Sequence, residues 1–163
     1  MSNSQRIVYA LVFIIGSILV LRKRKELAWP LLIMYGFAVI YVTFLIRDPD
    51  EEVRISLAVL RAWKRAFLVK GEFVLSFDRL RYLKQTFLNI LLFIPAGYFL
   101  PLMSKRDRKW WEAVLFGLAM SLGIELLQVV TRLGMFDVDD LINNTVGAGV
   151  GWSFWRVLLR ERR

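Results

Sequence analysis

The sequence predicts an all-α protein, an integral membrane helical bundle of about five transmembrane helices with an amphipathic helix on its outer face. Three observations predict this class. Hydrophobic residues make up 57% of the 163 residues, which is more than a soluble domain of this size buries in its core. The apolar residues form segments that approach the ~20 residues needed to cross a bilayer. The basic residues form short runs between those segments, as the positive-inside rule expects of cytoplasmic loops.

Five apolar segments are predicted to span the membrane. They are residues 7–21, 27–46, 87–103, 113–130 and 141–159. The first segment has the length of a signal peptide, but it runs directly into four basic residues without a small-residue cleavage pattern, so we expect it to be retained. No repeat or flexible linker divides the chain, which therefore reads as a single domain over residues 1–163.

The basic runs predict the orientation. With five spans, the runs at residues 22–25, 105–109 and 160–163 all fall on one side, which we expect to be the cytoplasmic side of a bacterial plasma membrane. The amino terminus is then outside and the carboxyl terminus is cytoplasmic. The connection 47–86 and the loop 131–140 face outward; the connection carries nine basic residues, but loops of about this size follow the rule weakly.

Part of the long outer connection has helical periodicity. Its apolar and basic residues recur on separate faces, at Val53, Leu57, Leu60 and Phe67 and at Arg54, Arg61 and Arg65. This pattern predicts an amphipathic helix that lies in the headgroup region. A helix packed across the tops of the spans fits the pattern equally well.

Composition excludes several kinds of chemistry. The chain has no cysteine and no histidine, which excludes disulfides, thiolate or imidazole catalysis and Cys- or His-bound zinc. The net charge of +9 does not indicate nucleic-acid binding, because the basic residues follow the membrane segments and do not form one soluble face. Carboxylates, amides, hydroxyls, Arg, Lys and Tyr remain as functional groups.

A polar stripe runs along the fourth span. Ser121, Glu125, Gln128 and Arg132 fall at i, i+4, i+7 and i+11, the spacing of one helical face. At about 1.5 Å per residue, Glu125 lies roughly 7 to 8 Å below the outer end of its span, where an ionisable group needs a partner or a purpose. Interhelical hydrogen bonding is the alternative explanation for Glu125 and Gln128.

The start of the fifth span is also polar. Asp137, Asp139 and Asp140 precede Asn143 and Asn144. One of the aspartates is explained by capping of the helix amino terminus. Capping does not explain two asparagines in the next turn, so we interpret this stretch as part of a polar outer layer.

The second and third spans add fewer features. Asn89 stands at the outer end of the third span and joins the same polar layer, while Pro95 and Gly97 are expected to bend or loosen that helix. Arg47 closes the second span, where it either snorkels to the interface or holds an anionic group. The GxxxG pair at 147–151 is interpreted as a helix-packing seam.

Three stretches of the chain resemble the VanZ-like family, which is named for a membrane protein associated with resistance to the lipoglycopeptide teicoplanin. They are YVTFLIR at 41–47, NILLFIPAGYFLP at 89–101 and SLGIELLQVVTRLGMFDVDDLINNTVGAGVGW at 121–152. The resemblance covers the carboxyl-terminal half and a short piece of the second span, and the stretch from the aspartates to the paired asparagines is its most specific part.

The resemblance implies functional residues at Asn89, Glu125, Gln128, Arg132, Asp137, Asp139, Asp140, Asn143 and Asn144. Our preferred hypothesis is an outer-leaflet site that binds, or as an enzyme modifies, an envelope lipid or a lipoglycopeptide. Arg47 and Arg132 would hold an anionic head group by charge-assisted hydrogen bonds. The asparagines, Gln128 and Asp137 would complete binding, and Glu125, Asp139 and Asp140 are the catalytic candidates.

No cofactor is predicted. The carboxylates would suit Mg2+ or Ca2+, which prefer oxygen ligands, but their spacing matches no specific metal loop. Two other functions remain open: a transporter or flippase, which intramembrane ionisable residues and a proline-containing helix suggest, and a non-catalytic factor that packs against an envelope enzyme.

Overall fold

The structure is a computed structural model that describes residues 12, 16, 27–45, 55–59, 77–104 and 106–159. Over these residues it is 84% helical, which confirms the predicted helical membrane-type class. The elements in chain order are α1 (Ala28–Ile40), β1 (Ile55–Ser56), α2 (Phe77–Met103), α3 (Trp110–Thr131), β2 (Phe136–Asp137) and α4 (Val138–Leu159). A π-helical turn, Tyr41–Leu45, continues α1.

Three helical segments of the described residues are long and apolar enough to cross a membrane: Ala28–Leu45, Leu83–Met103 and Trp110–Thr131. They correspond to the predicted second, third and fourth spans. The fourth helix, α4, has 22 residues and is about 33 Å long, but its first two turns are rich in Asp and Asn, which lowers its hydropathy. The predicted count of five spans is not confirmed.

The predicted first span, residues 7–21, lies outside the described residues except for Val12 and Gly16, which are both helical. The third span was placed too late. Its helix, α2, begins at Phe77, whereas residues 77–86 were predicted to belong to the outer connection. Charged residues mark where the apolar segment begins, but they do not prevent the helix from extending beyond it.

The predicted amphipathic helix is wrong at residues 55–59. There β1 pairs in parallel with β2, so that Ile55 lies opposite Phe136 and Ser56 opposite Asp137. Residues 57–59 are not helical either. Hydrogen bonding to a distant segment overrides the local helical periodicity. The other residues of the predicted helix, Val53, Arg54, Leu60, Arg61, Arg65 and Phe67, lie outside the described residues.

The glycine pair of α4 allows α4 to approach α2 closely. A methyl group at Gly147 would overlap the carbonyl oxygen of Ile90, and one at Gly151 would overlap that of Ile94. Small residues allow membrane helices to come this close. The predicted packing role of the GxxxG pair is therefore confirmed.

Residue 95 and residue 101 are prolines inside α2, and the helix runs through both.

The core and the outer surface are both apolar. Phe93, Tyr98 and Phe99 of α2 are fully buried. The side chain of Tyr35 in α1 joins this core and donates a hydrogen bond to the carbonyl oxygen of Leu92 at 3.0 Å. Large apolar side chains also cover the outside of the bundle, with Phe37 68% and Val130 79% exposed, as expected of helices that face lipid.

Candidate functional site

The buried polar side chains of the described residues gather toward one end of the bundle, where α1 and α3 finish and α4 begins. We call this group the polar end. Its members are Thr43, Thr86, Ser121, Glu125, Gln128, Asp137, Asp139, Asp140, Asn143 and Asn144. The sequence analysis singled out most of these residues, and the fold brings them together from all four helices.

Glu125 joins α3 to the start of α4. Its side chain is 2% exposed, and its Oε2 accepts a hydrogen bond from the backbone N–H of Asp137 at 2.9 Å. This contact places a carboxylate against the backbone of the short strand β2. The predicted depth of Glu125 inside its span agrees with its burial.

Asp137 caps the amino terminus of α4. Its Oδ1 accepts the backbone N–H of Asp139 at 3.0 Å, which satisfies one of the free N–H groups in the first helical turn. The prediction that capping explains one of the three aspartates is confirmed. Asp139 and Asp140 follow in the first turn, and both are buried.

Asp140 connects α4 to α2. Its Oδ1 accepts hydrogen bonds from the side-chain amides of Asn89 and of Gln85, the latter at 3.4 Å. The structure thus joins Asn89 to the aspartates, as its depth in the third span predicted. The sequence analysis missed Gln85. Gln85 precedes Asn89 by one helical turn, and an earlier start for α2 would have revealed it.

Two amides complete the links between helices. Asn144 Nδ2 donates to Ser121 Oγ at 2.8 Å and joins α4 to α3. Gln128 Nε2 donates to the carbonyl oxygen of Thr43 at 3.1 Å and joins α3 to α1. The remaining amide oxygens, Asn144 Oδ1 and Gln128 Oε1, have no hydrogen-bond partner. Asn143 is buried next to Asn144 in the chain.

The predicted stripe of α3 is confirmed at Ser121, Glu125 and Gln128 and is wrong at Arg132. Arg132 is the residue at which α3 ends, with a left-handed backbone (φ 57°), and it is exposed. A left-handed residue turns the chain away from the helical path, so the side chain leaves the face that Glu125 shares. Arg47, the other predicted anion-binding residue, lies outside the described residues.

The described carboxylates do not form a metal site. Among the residues that the structure describes, no group of three or more carboxylates is arranged to hold a metal ion. Glu125 and Asp140 receive hydrogen bonds from N–H groups of the protein.

The sequence identifies the family. None of the curated proteins and none of the solved structures matches this chain significantly. The sequence pattern of the VanZ/LLP1 family matches residues 28–159, which include all four described helices and every residue of the polar end. The chain belongs to the VanZ/LLP1 family.

Proposed function

We propose that the polar end binds the head group of an amphiphile of the bacterial cell envelope, either a lipid or a lipoglycopeptide, at the outer leaflet of the plasma membrane. The observation that carries this proposal is the burial of ten polar residues toward one end of a bundle whose other buried side chains, among the described residues, are apolar or aromatic. Ionisable residues inside membrane helices most often serve function, and convergent polar groups in an apolar setting are typical of ligand sites.

Magnitudes favour a ligand site over simple packing. A charged side chain at the centre of a membrane helix costs about 2.5 to 3.5 kcal/mol on insertion scales. An interhelical hydrogen bond contributes only about 0.6 kcal/mol on average and about 1.7 kcal/mol at most. The described part of the chain buries four carboxylates, at Glu125, Asp137, Asp139 and Asp140. Only Glu125 lies inside a candidate membrane-spanning helix, and one hydrogen bond does not account for keeping a carboxyl group there; the three aspartates lie at the start of α4, where this cost is smaller.

Binding is better supported than turnover. The carboxylates of Glu125, Asp137 and Asp140 accept hydrogen bonds from the protein itself, so they organise the polar end. A catalytic role would in addition require a carboxylate oxygen of Glu125, Asp139 or Asp140 to contact the substrate. Chemical modification of the ligand is therefore the second proposal and binding the first.

The outward orientation of the polar end belongs to the same proposal. The opposite end of the bundle carries Arg106, Arg108 and Lys109, and basic loops favour the cytoplasmic side. Cysteines introduced at Ser104 and at Gly134, which lie beyond opposite ends of α3, test the orientation. An impermeant thiol reagent applied to intact cells should label position 134 and spare position 104. The reverse pattern would contradict the orientation.

The resistance associated with the family name suggests the biological test. We expect expression of the chain to lower susceptibility to teicoplanin-type lipoglycopeptides. Glu125→Gln and Asp139→Asn variants, produced at equal membrane levels, should lose this effect because each replaces a buried carboxyl group by an amide at nearly constant volume. Thr145→Val is the matched control, since the Thr145 hydroxyl bonds only to the carbonyl oxygen of Leu141 in its own helix.

Envelope-lipid profiles of the same strains separate binding from turnover. Lipids altered by the wild-type chain and restored in the variants would indicate chemical modification. A change in susceptibility with an unchanged lipid profile would favour binding. Unaltered protection in both charge variants would contradict a functional polar end and would favour a packing or assembly role.

A further inference from the structure

Two side-chain amides of the polar end each donate a hydrogen bond within the bundle while their oxygens have no partner. Asn144 donates its side-chain N–H to Ser121, and Gln128 donates its own to the backbone of Thr43. The amide oxygens of both residues lack a partner although the side chains are 5% and 1% exposed. A buried acceptor without a donor is unfavourable, so these oxygens are suited to a group that brings donors.

The two oxygens belong to one continuous polar surface. Gln128 lies one turn from Glu125 on the same face of α3, and Ser121, the partner of Asn144, lies one turn away on the other side. A third buried atom without a partner, the hydroxyl oxygen of Ser56, lies on the strand residue that pairs with Asp137. The three atoms thus lie on α3, α4 and β1, the elements that also carry or pair with the buried carboxylates; the two amide oxygens are pure acceptors, whereas the hydroxyl also donates.

We propose that the head group bound at the polar end donates hydrogen bonds through N–H or O–H groups, as the ammonium of an aminophospholipid or the hydroxyls of a glycolipid do. This inference rests on the proposed function and names its ligand class. It adds hydrogen-bond donors to the predicted head group, because the described amide oxygens accept hydrogen bonds and do not bind anions. A head group without N–H or O–H donors leaves the oxygens of Asn144 and Gln128 unsatisfied.

The experiment compares lipids that differ only in donors. Full-length protein in detergent is titrated with phosphatidylethanolamine and with phosphatidylcholine of identical acyl chains, and binding is measured by native mass spectrometry. A second pair consists of a monoglucosyl diacylglycerol and its analogue with all four sugar hydroxyls methylated. We expect the donor-bearing member of at least one pair to bind about tenfold more tightly, the effect of roughly one good hydrogen bond. The pair that discriminates identifies the source of the donors.

Substitutions then locate the discrimination. Gln128→Met and Asn144→Leu remove the amide oxygens at similar volume, and each should reduce the tenfold preference to less than threefold. Thr145→Val, the neighbour of Asn144 with a hydroxyl that bonds within its own helix, should keep the full preference. Ser56→Ala removes the third oxygen without a partner, which lies on a strand and not on a helix. This variant replaces any helix variant that fails to fold.

The outcomes separate this inference from the proposed function. Tight binding of all four lipids without discrimination would overturn the inference and leave the proposed lipid site in place; the oxygens would then accept bonds from water. Discrimination that survives in every variant would also overturn it, because the selectivity would arise elsewhere. Binding of none of the lipids, nor of a teicoplanin-type lipoglycopeptide, would overturn both.

Discussion

The two ends of the bundle hold their charged groups in opposite ways. At the end near the α2–α3 loop, Glu112 pairs with Arg106 and, at 3.2 Å, with Arg108, and it accepts the backbone N–H of Lys109 at 2.7 Å. All these contacts are local in the chain, and the Arg106 side chain is 61% exposed. We call this group the basic end. At the polar end, the contacts are buried and join different helices.

This difference teaches which charges the fold depends on. An exposed ion pair contributes little because water and salt screen both partners. A buried carboxylate that accepts a backbone N–H has no solvent to replace its partner, so removal leaves a donor unsatisfied. A charged residue of the polar end is therefore expected to contribute more to the free energy of unfolding than one of the basic end. The following experiments test that contrast, from the largest expected effect to the smallest.

The close packing of α2 against α4 brings Asn89 of α2 to Asp140 of α4 and so holds the polar end together. We expect Gly151→Ala to lower the free energy of unfolding by about 3 kcal/mol, since the new methyl group overlaps the carbonyl oxygen of Ile94 and overpacking costs about 1 to 3 kcal/mol. Unfolding in mixed micelles measures the change. Gly123→Ala is the control, because nothing lies within 4 Å of its added methyl group. Equal losses in both variants would contradict close packing at the seam.

At the polar end, Glu125→Ala should lower the free energy of unfolding by about 2 kcal/mol. The reason is that the buried N–H of Asp137 loses its charged acceptor. Glu125→Gln keeps an acceptor oxygen and should lose clearly less stability while still losing function. The same unfolding assay makes the comparison. If Glu125→Ala were as stable as the wild type, the bond to Asp137 would carry no structural weight.

The contact between Ser121 and Asn144 should show a coupling energy of about 1 kcal/mol. This is the range measured for hydrogen bonds between membrane helices. A double-mutant cycle with Ser121→Ala and Asn144→Ala isolates the pairwise part from the volume change. Additive single and double effects would mean that the two side chains do not interact.

The smallest effect is expected at the basic end. Glu112→Gln weakens the ion pairs with the exposed Arg106 and the half-buried Arg108, so the thermal midpoint of this variant should fall less than that of any of the destabilised polar-end variants. High salt should shrink the difference further because it screens the ion pairs of the wild type. A loss larger than that of Glu125→Ala would reverse the proposed contrast between the ends.

The residues of the polar end were predicted better than the bounds of the helices that carry them. Helical periodicity places Ser121, Glu125 and Gln128 on one face, and depth in the span places Asn89 at the level of the aspartates. Both are local properties that one chain segment carries alone. They suffice to identify the side chains, because any antiparallel arrangement of α3 and α4 brings the end of one helix to the start of the other.

The errors arise where the pattern of apolar and charged residues does not determine the path of the backbone. The pairing of β1 with β2 depends on a backbone far away in the chain, so the periodicity around residue 55 predicted a helix. A single left-handed residue, Arg132, ended the stripe one turn early. Hydropathy marks where apolar residues begin, not where a helix does, and for this reason Gln85 was missed.

The side of α3 that faces away from the other helices restricts the routes by which the proposed amphiphile reaches the buried oxygens. Leu126, Leu127 and Val130 are 52%, 54% and 79% exposed, although Glu125 and Gln128 on the opposite side of the same two turns are buried. In a bilayer these apolar side chains contact acyl tails as far as the last turn of α3. A hydrated head group therefore does not pass across this side of the helix. If the polar end binds a lipid as proposed, the lipid therefore enters from the aqueous interface or laterally past another helix, and its tails remain outside the bundle.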